Sequence, residues 1–227
     1  MSPDLLSGGW GEAMKKYLSI ITIFWSLSLH AQHMQEGVKL VQYVFNEFAS
    51  GEVKMKSGEI STQLLNYNIL TNEMIFDNHG KYLAIASPEN VDTVIINNRK
   101  FIPLNNKFYE VLVSSKMPLL LEFTASIKDP GTATGYGGTS NTTASTALQS
   151  LISTGGAYDL KLPDGYSVTS GYAYWIMKDR KLEKAGSVKQ LIKIFPDKKE
   201  MINDFIKKSN TNFSKSDDVA ALVKEIE

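Results

Sequence analysis

The sequence predicts an α+β protein: a twisted antiparallel β-meander, barrel-like or two-layered, capped at its C-terminal end by three short helices. Three observations carry this. Apolar residues repeat with period two from Gly51 to Lys128 and are punctuated by turn-forming pairs. Strand patterns resume at Tyr158 after a long Gly/Thr/Ser stretch. From Ser187 onward the period lengthens to that of helices.

The N-terminal segment sets the chain's address. Met14 to Ala31 has the form of a signal peptide, with Lys15 and Lys16 as the positive start, an apolar core from Tyr17 to Leu29 and small Ala31 before the cut. That core falls short of the roughly 20 apolar residues a spanning helix needs. Residues 1–13 are then expected to be a start assigned too early, and cleavage leaves residues 32–227, with a β-rich domain over 32–178 and a helical cap over 187–227. The expected location is the periplasm, with surface display as the alternative.

Composition narrows the function classes. Lys plus Arg and Asp plus Glu are both 24, so no net field draws nucleic acid. With 0 cysteines the exported chain relies on burial, not on disulfides, and has no acylated Cys to tether it. No later apolar run reaches spanning length, so no membrane span is expected after residue 32.

Along the chain, strands are expected at Gly51–Lys56, Gln63–Leu70, Glu73–Asp77, Lys81–Ala86, Val91–Ile96, Arg99–Leu104, Phe108–Val113 and Leu119–Ile127. Asp77-Asn-His-Gly80, Ser87-Pro-Glu-Asn90, Asn97-Asn98 and Asn105-Asn106 supply turns, because Asn, Asp and Gly tolerate positive φ. Val38–Phe48 fits helix by spacing and strand by composition. Residues 129–156 form the long Gly/Thr/Ser loop, with a weak helical turn near Ala144–Ile152; loops of this length are either functional or disordered. Strands are expected again at Tyr158–Leu162, Tyr166–Thr169 and Tyr172–Lys178. Ser187 is placed to cap a first helix, Pro196 to start a second, and Ser214 with Asp217 to form a capping box for a third.

The order of these motifs resembles a group of exported cell-envelope proteins from bacteria of the Bacteroidetes type. The carriers are Glu47-Phe48 before Gly51-Glu-Val-Lys-Met-Lys-Ser-Gly58, Leu65-Asn-Tyr-Asn68 with Glu73-Met-Ile-Phe76, and Val91-Asp-Thr-Val-Ile-Ile96 with Arg99-Lys-Phe101. Phe108-Tyr-Glu-Val-Leu112, Gly135-Tyr-Gly-Gly-Thr139 and Phe195-Pro-Asp-Lys198 complete the set. The resemblance implies export and one coherent fold, and it favours an extended entry for Val38–Phe48. It implies no activity.

Motifs for chemistry are sparse. Of 3 histidines, His30 is expected to be cleaved off, His33 lies at the new terminus and His79 sits in a turn, so no nucleophile–base pair is legible; a Ser–Lys dyad stays open. No metal-ligand spacing and no cofactor motif is present; Gly131–Thr139 lacks the Lys-Ser/Thr of a phosphate loop. Asp77, Asp92, Glu110 and Glu122 are the carboxylates a glycosidase would draw on, although alternation puts Glu110 and Glu122 on a solvent face. Tyr136, Tyr172, Tyr174 and Trp175 are the interaction candidates, and Thr93 in Asp92-Thr93-Val94 is a candidate O-glycosylation acceptor. The expected role is a non-enzymatic envelope binding protein or complex subunit with a protein or polymer partner. A hydrolase or carbohydrate-active enzyme, and a lipid or small-ligand carrier hollow around Leu65, Ile75, Ile95 and Leu120, are the alternatives.

Overall fold

Paired turn residues set the register of much of the sheet. The computed structural model describes residues 40–128, 132–133, 139–140, 153–154 and 156–227, of which residues 40–227 belong to one compact unit. Its longer strands are β1 (Ala49–Met55), β2 (Ile60–Asn68), β3 (Glu73–Asn78), β4 (Lys81–Ala84), β5 (Val91–Ile96), β6 (Arg99–Leu104), β7 (Lys107–Val113) and β8 (Leu119–Lys128). The two-residue β9 (Thr132–Ala133), β10 (Thr139–Ser140), β11 (Ser153–Thr154) and β12 (Ala157–Tyr158) follow, then β13 (Ser167–Lys178) and β14 (Lys181–Lys184). Asn97-Asn98, Asn105-Asn106, His79-Gly80 and Asp179-Arg180 each join two strands with both residues at positive φ, 50–62° for the non-glycines. Two-residue turns of this kind match the right-handed twist of the flanking strands.

The sheet is antiparallel, in the order β11-β12-β4-β3-β2-β1-β5-β6-β7-β8-β13-β14, with β9 and β10 pairing separately. The chain meanders from β1 out to β4, returns through a 3₁₀ turn at Pro88–Asn90 to the other side of β1, and meanders again from β5 to β8. Together the strands curl into a half-barrel. The ring of Tyr67 on β2 shows how far they curl: it lies 6.1–6.2 Å from Phe101 on β6, Phe108 on β7 and Phe123 on β8.

Several boundaries differ from expectation. Tyr166–Thr169 and Tyr172–Lys178 are parts of one strand, β13, because the ladder to β8 continues through Gly171 opposite Thr124. Tyr158–Leu162 shortens to β12, whose single bridge to β4 joins Tyr158 to Tyr82. From Leu40 to Phe48 the chain is neither helix nor strand; one bridge, Tyr43 to Asn68, ties it to β2. The buried Asn66 amide clasps it: Oδ1 accepts from the Phe45 N–H at 3.1 Å, while Nδ2 donates to the carbonyls of Phe45 and Glu47 at 2.8 and 3.1 Å. The expected helical turn near 144–152 lies outside the described residues.

Three helices close the chain: α1 (Val188–Ile194), α2 (Lys199–Ser209) and α3 (Ser216–Ile226). Ser187 caps α1, its hydroxyl accepting from the Gln190 N–H. The Ser214–Asp217 capping box does not form. α3 starts at Ser216, the Ser214 N–H donates to Asn212, and Asp218 reaches back to accept from the Asn212 N–H at 2.9 Å. Val219, Leu222, Val223 and Ile226 are buried along one face of α3, each worth roughly 2 kcal/mol of transfer free energy. They pack with Leu191, Ile194 and Ile202 against Leu119, Leu121, Tyr174 and Ile176 of β8 and β13. A second core, on β1–β3 and β5–β7, gathers Leu65, Tyr67, Met74, Val94, Ile96, Phe101 and Phe108.

At Gly51 on β1 there is no room for a side chain: a Cβ would lie 2.6 Å from the Ile95 carbonyl oxygen and 3.0 Å from Leu65 Cδ1. Gly51→Ala is therefore expected to cost about 1–3 kcal/mol, read as a lower urea midpoint at unchanged slope. Burial holds the Tyr43 and Tyr67 phenols well above their usual 10.0. Both are neutral in the fold at pH values where the unfolded chain ionises, so stability should be level below about pH 10 and fall above it. Urea midpoints at about pH 8 and about pH 11 test this; equal midpoints would mean the two rings are not buried.

Candidate functional site

Strand alternation points one set of side chains from β1 to β4 into a shared hollow. Val53 on β1 faces Ser61 on β2, and Leu65 on β2 faces Phe76 on β3, which faces Leu83 on β4. These line a cavity of about 600 Å³, together with Met55, Gln63, Ala84, Ile85, Ala86, Gly156 and Tyr158 among the described residues. Its size falls in the range of sites that enclose a small molecule. Small residues border it: Ser61 stands opposite Val53, and Ala84 and Ala86 follow Leu83.

The wall chemistry is uniform. Leu65 and Val53 are buried, while Met55, Phe76, Leu83 and Ile85 are half-buried. Ser61, Gln63 and Tyr158 carry polar groups, and among the described residues no lining side chain carries a formal charge. The Tyr158 hydroxyl donates to the Glu73 carboxylate. Along β1, β2 and β3 both edges are already paired with neighbouring strands, so this part of the wall has few free backbone groups. Such a surface can desolvate hydrocarbon but has little with which to bind an ion.

Further along the same face a charge sits among aromatic rings. Arg99 on β6 donates through Nε and Nη2 to both Glu110 oxygens, each at 2.6 Å. Its guanidinium lies 4.9, 5.6 and 5.5 Å from the ring centres of Phe45, Phe101 and Phe123. Arg, planar and weakly hydrated, suits this stack better than Lys. Glu110 is 7 % exposed, and the bidentate contact offsets part of the cost of burying it.

The residues singled out in the sequence are scattered. Tyr172 and Tyr174 share a face of β13, their rings 5.5 Å apart, and the Tyr172 hydroxyl donates to the Ser214 carbonyl beside the helical cap. Tyr174 is buried in the helix-side core, which raises its phenol pKa. Trp175 points to the opposite face, where its Nε1–H donates to Glu122 at 2.8 Å and Lys184 lies 5.7 Å over its ring. The three aromatics thus do not make one platform. Thr93 is buried, and its hydroxyl donates to Asp92 at 3.2 Å. Tyr136 lies outside the described residues.

The carboxylates are equally dispersed. Asp92 pairs with Lys54, Glu110 with Arg99, and Glu122 with Lys107, whose ammonium is raised in pKa chiefly by that hydrogen bond. Glu110 and Glu122, read as solvent-facing, are both buried, because on this curled sheet each face is covered where they sit. Neither lines the cavity, and Asp77 accepts from the Gly80 N–H within its turn. Of the residues named for a hollow sheet, Leu65 lines the cavity; Ile75 and Leu120 are buried elsewhere and Ile95 is 42 % exposed. Sequence reasoning missed Ser61, Phe76 and Leu83, whose only signal was the parity of their strands.

Among the described residues no group of three or more His, Asp or Glu stands together as a metal site, and no helix is long and apolar enough to cross a membrane. No protein-family model, curated protein or solved structure matches the chain.

Removing the guanidinium leaves Glu110 buried against aromatic rings without its counter-charge. Arg99→Met should cost about 3 kcal/mol, and Arg99→Met with Glu110→Leu should recover most of it. Urea unfolding of the double-mutant cycle measures both; a double variant as unstable as the single would show that the pair holds the barrel by more than charge.

Proposed function

We propose that this chain is an exported, non-enzymatic binding protein of the periplasm or cell envelope, and that it binds an apolar ligand in the half-barrel. The cavity of about 600 Å³ with uncharged, largely aliphatic walls is the observation that carries the reading. The leader-like Met14–Ala31 and the resemblance to exported proteins of the Bacteroidetes type support the location. The dispersal of Asp92, Glu110 and Glu122 into separate ion pairs gives the hydrolase reading less support.

A second reading, subunit of an envelope complex, is favoured by a different observation. Ile60 and Leu64 on β2 and Ile95 on β5 are 60, 47 and 42 % exposed on the sheet's outer face. They share that face with exposed Glu52, Lys54 and Thr62, a mixed apolar and polar surface of the kind protein contacts use.

The test is to express the full chain with a C-terminal tag in its native cell, fractionate the cell, and weigh the purified protein by native and denaturing mass spectrometry. The expected result is a periplasmic or envelope protein starting near Gln32, with a native mass exceeding the denatured mass by a small apolar molecule. A cytoplasmic, unprocessed chain would overturn the location. A bare native mass, together with no enhancement of a polarity-sensitive dye, would overturn ligand binding.

A further inference from the structure

We infer that the cavity on β1–β4 takes a single acyl chain, tail first, with the polar head of the lipid held at Ser61 and Gln63. This deepens the binding reading above and rests on it. Val53, Met55, Leu65, Leu83 and Ile85 supply aliphatic or thioether side chains to the wall, with Phe76 and Tyr158 as its described rings. A flexible hydrocarbon chain conforms to such a wall, and Met55 adds adaptability of its own. A flat aromatic ligand would find few ring partners.

The backbone argues against a peptide occupant. A peptide brings an N–H and a C=O with every residue, and each costs free energy if buried unpaired. β1, β2 and β3, which carry half of the described lining, are paired on both sides, so there Ser61 and Gln63 are the side chains that could satisfy those groups. An acyl chain has nothing to satisfy along its length and one polar end. Ser61 and Gln63 project from β2 beside the buried Leu65, and Gln63 is exposed, so the polar positions lie where the cavity meets water. Neutral amide and hydroxyl groups there accept an alcohol, ester or carboxylate head without requiring a charge.

The inference predicts a length dependence that other occupants would not show. Each buried methylene should tighten binding about fourfold until the cavity is full, after which affinity levels off. The experiment uses the exported chain, stripped of lipid, with a naphthalene-sulfonate dye displaced by octanol, decanol, dodecanol and tetradecanol and by the matching fatty acids. Two variants are run beside it. Ser61→Trp places a ring in the cavity from a half-exposed strand position and should abolish the length dependence. Gln63→Glu should weaken the fatty acids severalfold more than the alcohols, because only a carboxylate head meets like charge. Urea midpoints report whether each variant folds, and if Ser61→Trp does not, Leu83→Phe replaces it.

Dye binding with affinity flat against alcohol length, or unmoved by the filling variant, overturns the acyl chain while leaving ligand binding intact. Displacement by an apolar peptide but by no alcohol does the same. Absence of dye and alcohol binding overturns both readings together.

Discussion

Tyr67 is where the sheet meets itself. It sits on the second strand, yet its ring packs on aromatics of the sixth, seventh and eighth, and that contact requires the intervening strands to coil rather than lie flat. Arg99 then occupies what would be the weakest point of the closure, between Phe45, Phe101 and Phe123, with Glu110 as its counter-charge. The same face of the sheet, continued onto β1–β4, borders the cavity.

The two cores divide the labour. The helix-side core, built from α1–α3 on β8 and β13, is a layered packing of aliphatic side chains. The barrel core depends on rings and on one ion pair. Because the helices pack over β8 and β13, the β1–β4 end keeps its inner face free of them.

Much of the fold was legible in the sequence. Asn97-Asn98 and Asn105-Asn106 name their turns, because few residue pairs accept positive φ twice, and the strands on either side follow within a residue or so. The helical stripes of Val188–Phe195, Met201–Ile206 and Val219–Ile226 were equally plain. Asp179-Arg180 was not, since Arg is an unusual occupant of a left-handed turn position, so β14 went unread. The site was hidden for another reason. A cavity is volume left over, and no residue type signals it; Ser61 and Ala84 matter by what they lack, and only the strand pairing brings them to one hollow. The parity of Tyr172, Tyr174 and Trp175 did separate the last from the first two, but composition grouped them.

The hairpins confine much of the strand pairing to near neighbours in sequence; β1 with β5, β12 with β4 and β8 with β13 are the distant pairings, the last the longest. β8 ends at Lys128 and its partner β13 begins at Ser167, so the longest ladder in the sheet, running from Ser167–Lys128 to Ile176–Leu119, joins segments far apart along the chain. Local hairpins close quickly, while a distant strand must first meet the entropy of closing its loop. The strands up to β8 can therefore assemble before β13 arrives, leaving a ten-residue edge with its N–H and C=O groups unpaired. Such an edge is a template for another chain. In this protein the hazard of self-association belongs to the interval before β13 docks, and the native sheet, which ends in the short, charged Lys181-Leu-Glu-Lys184 of β14, closes that interval.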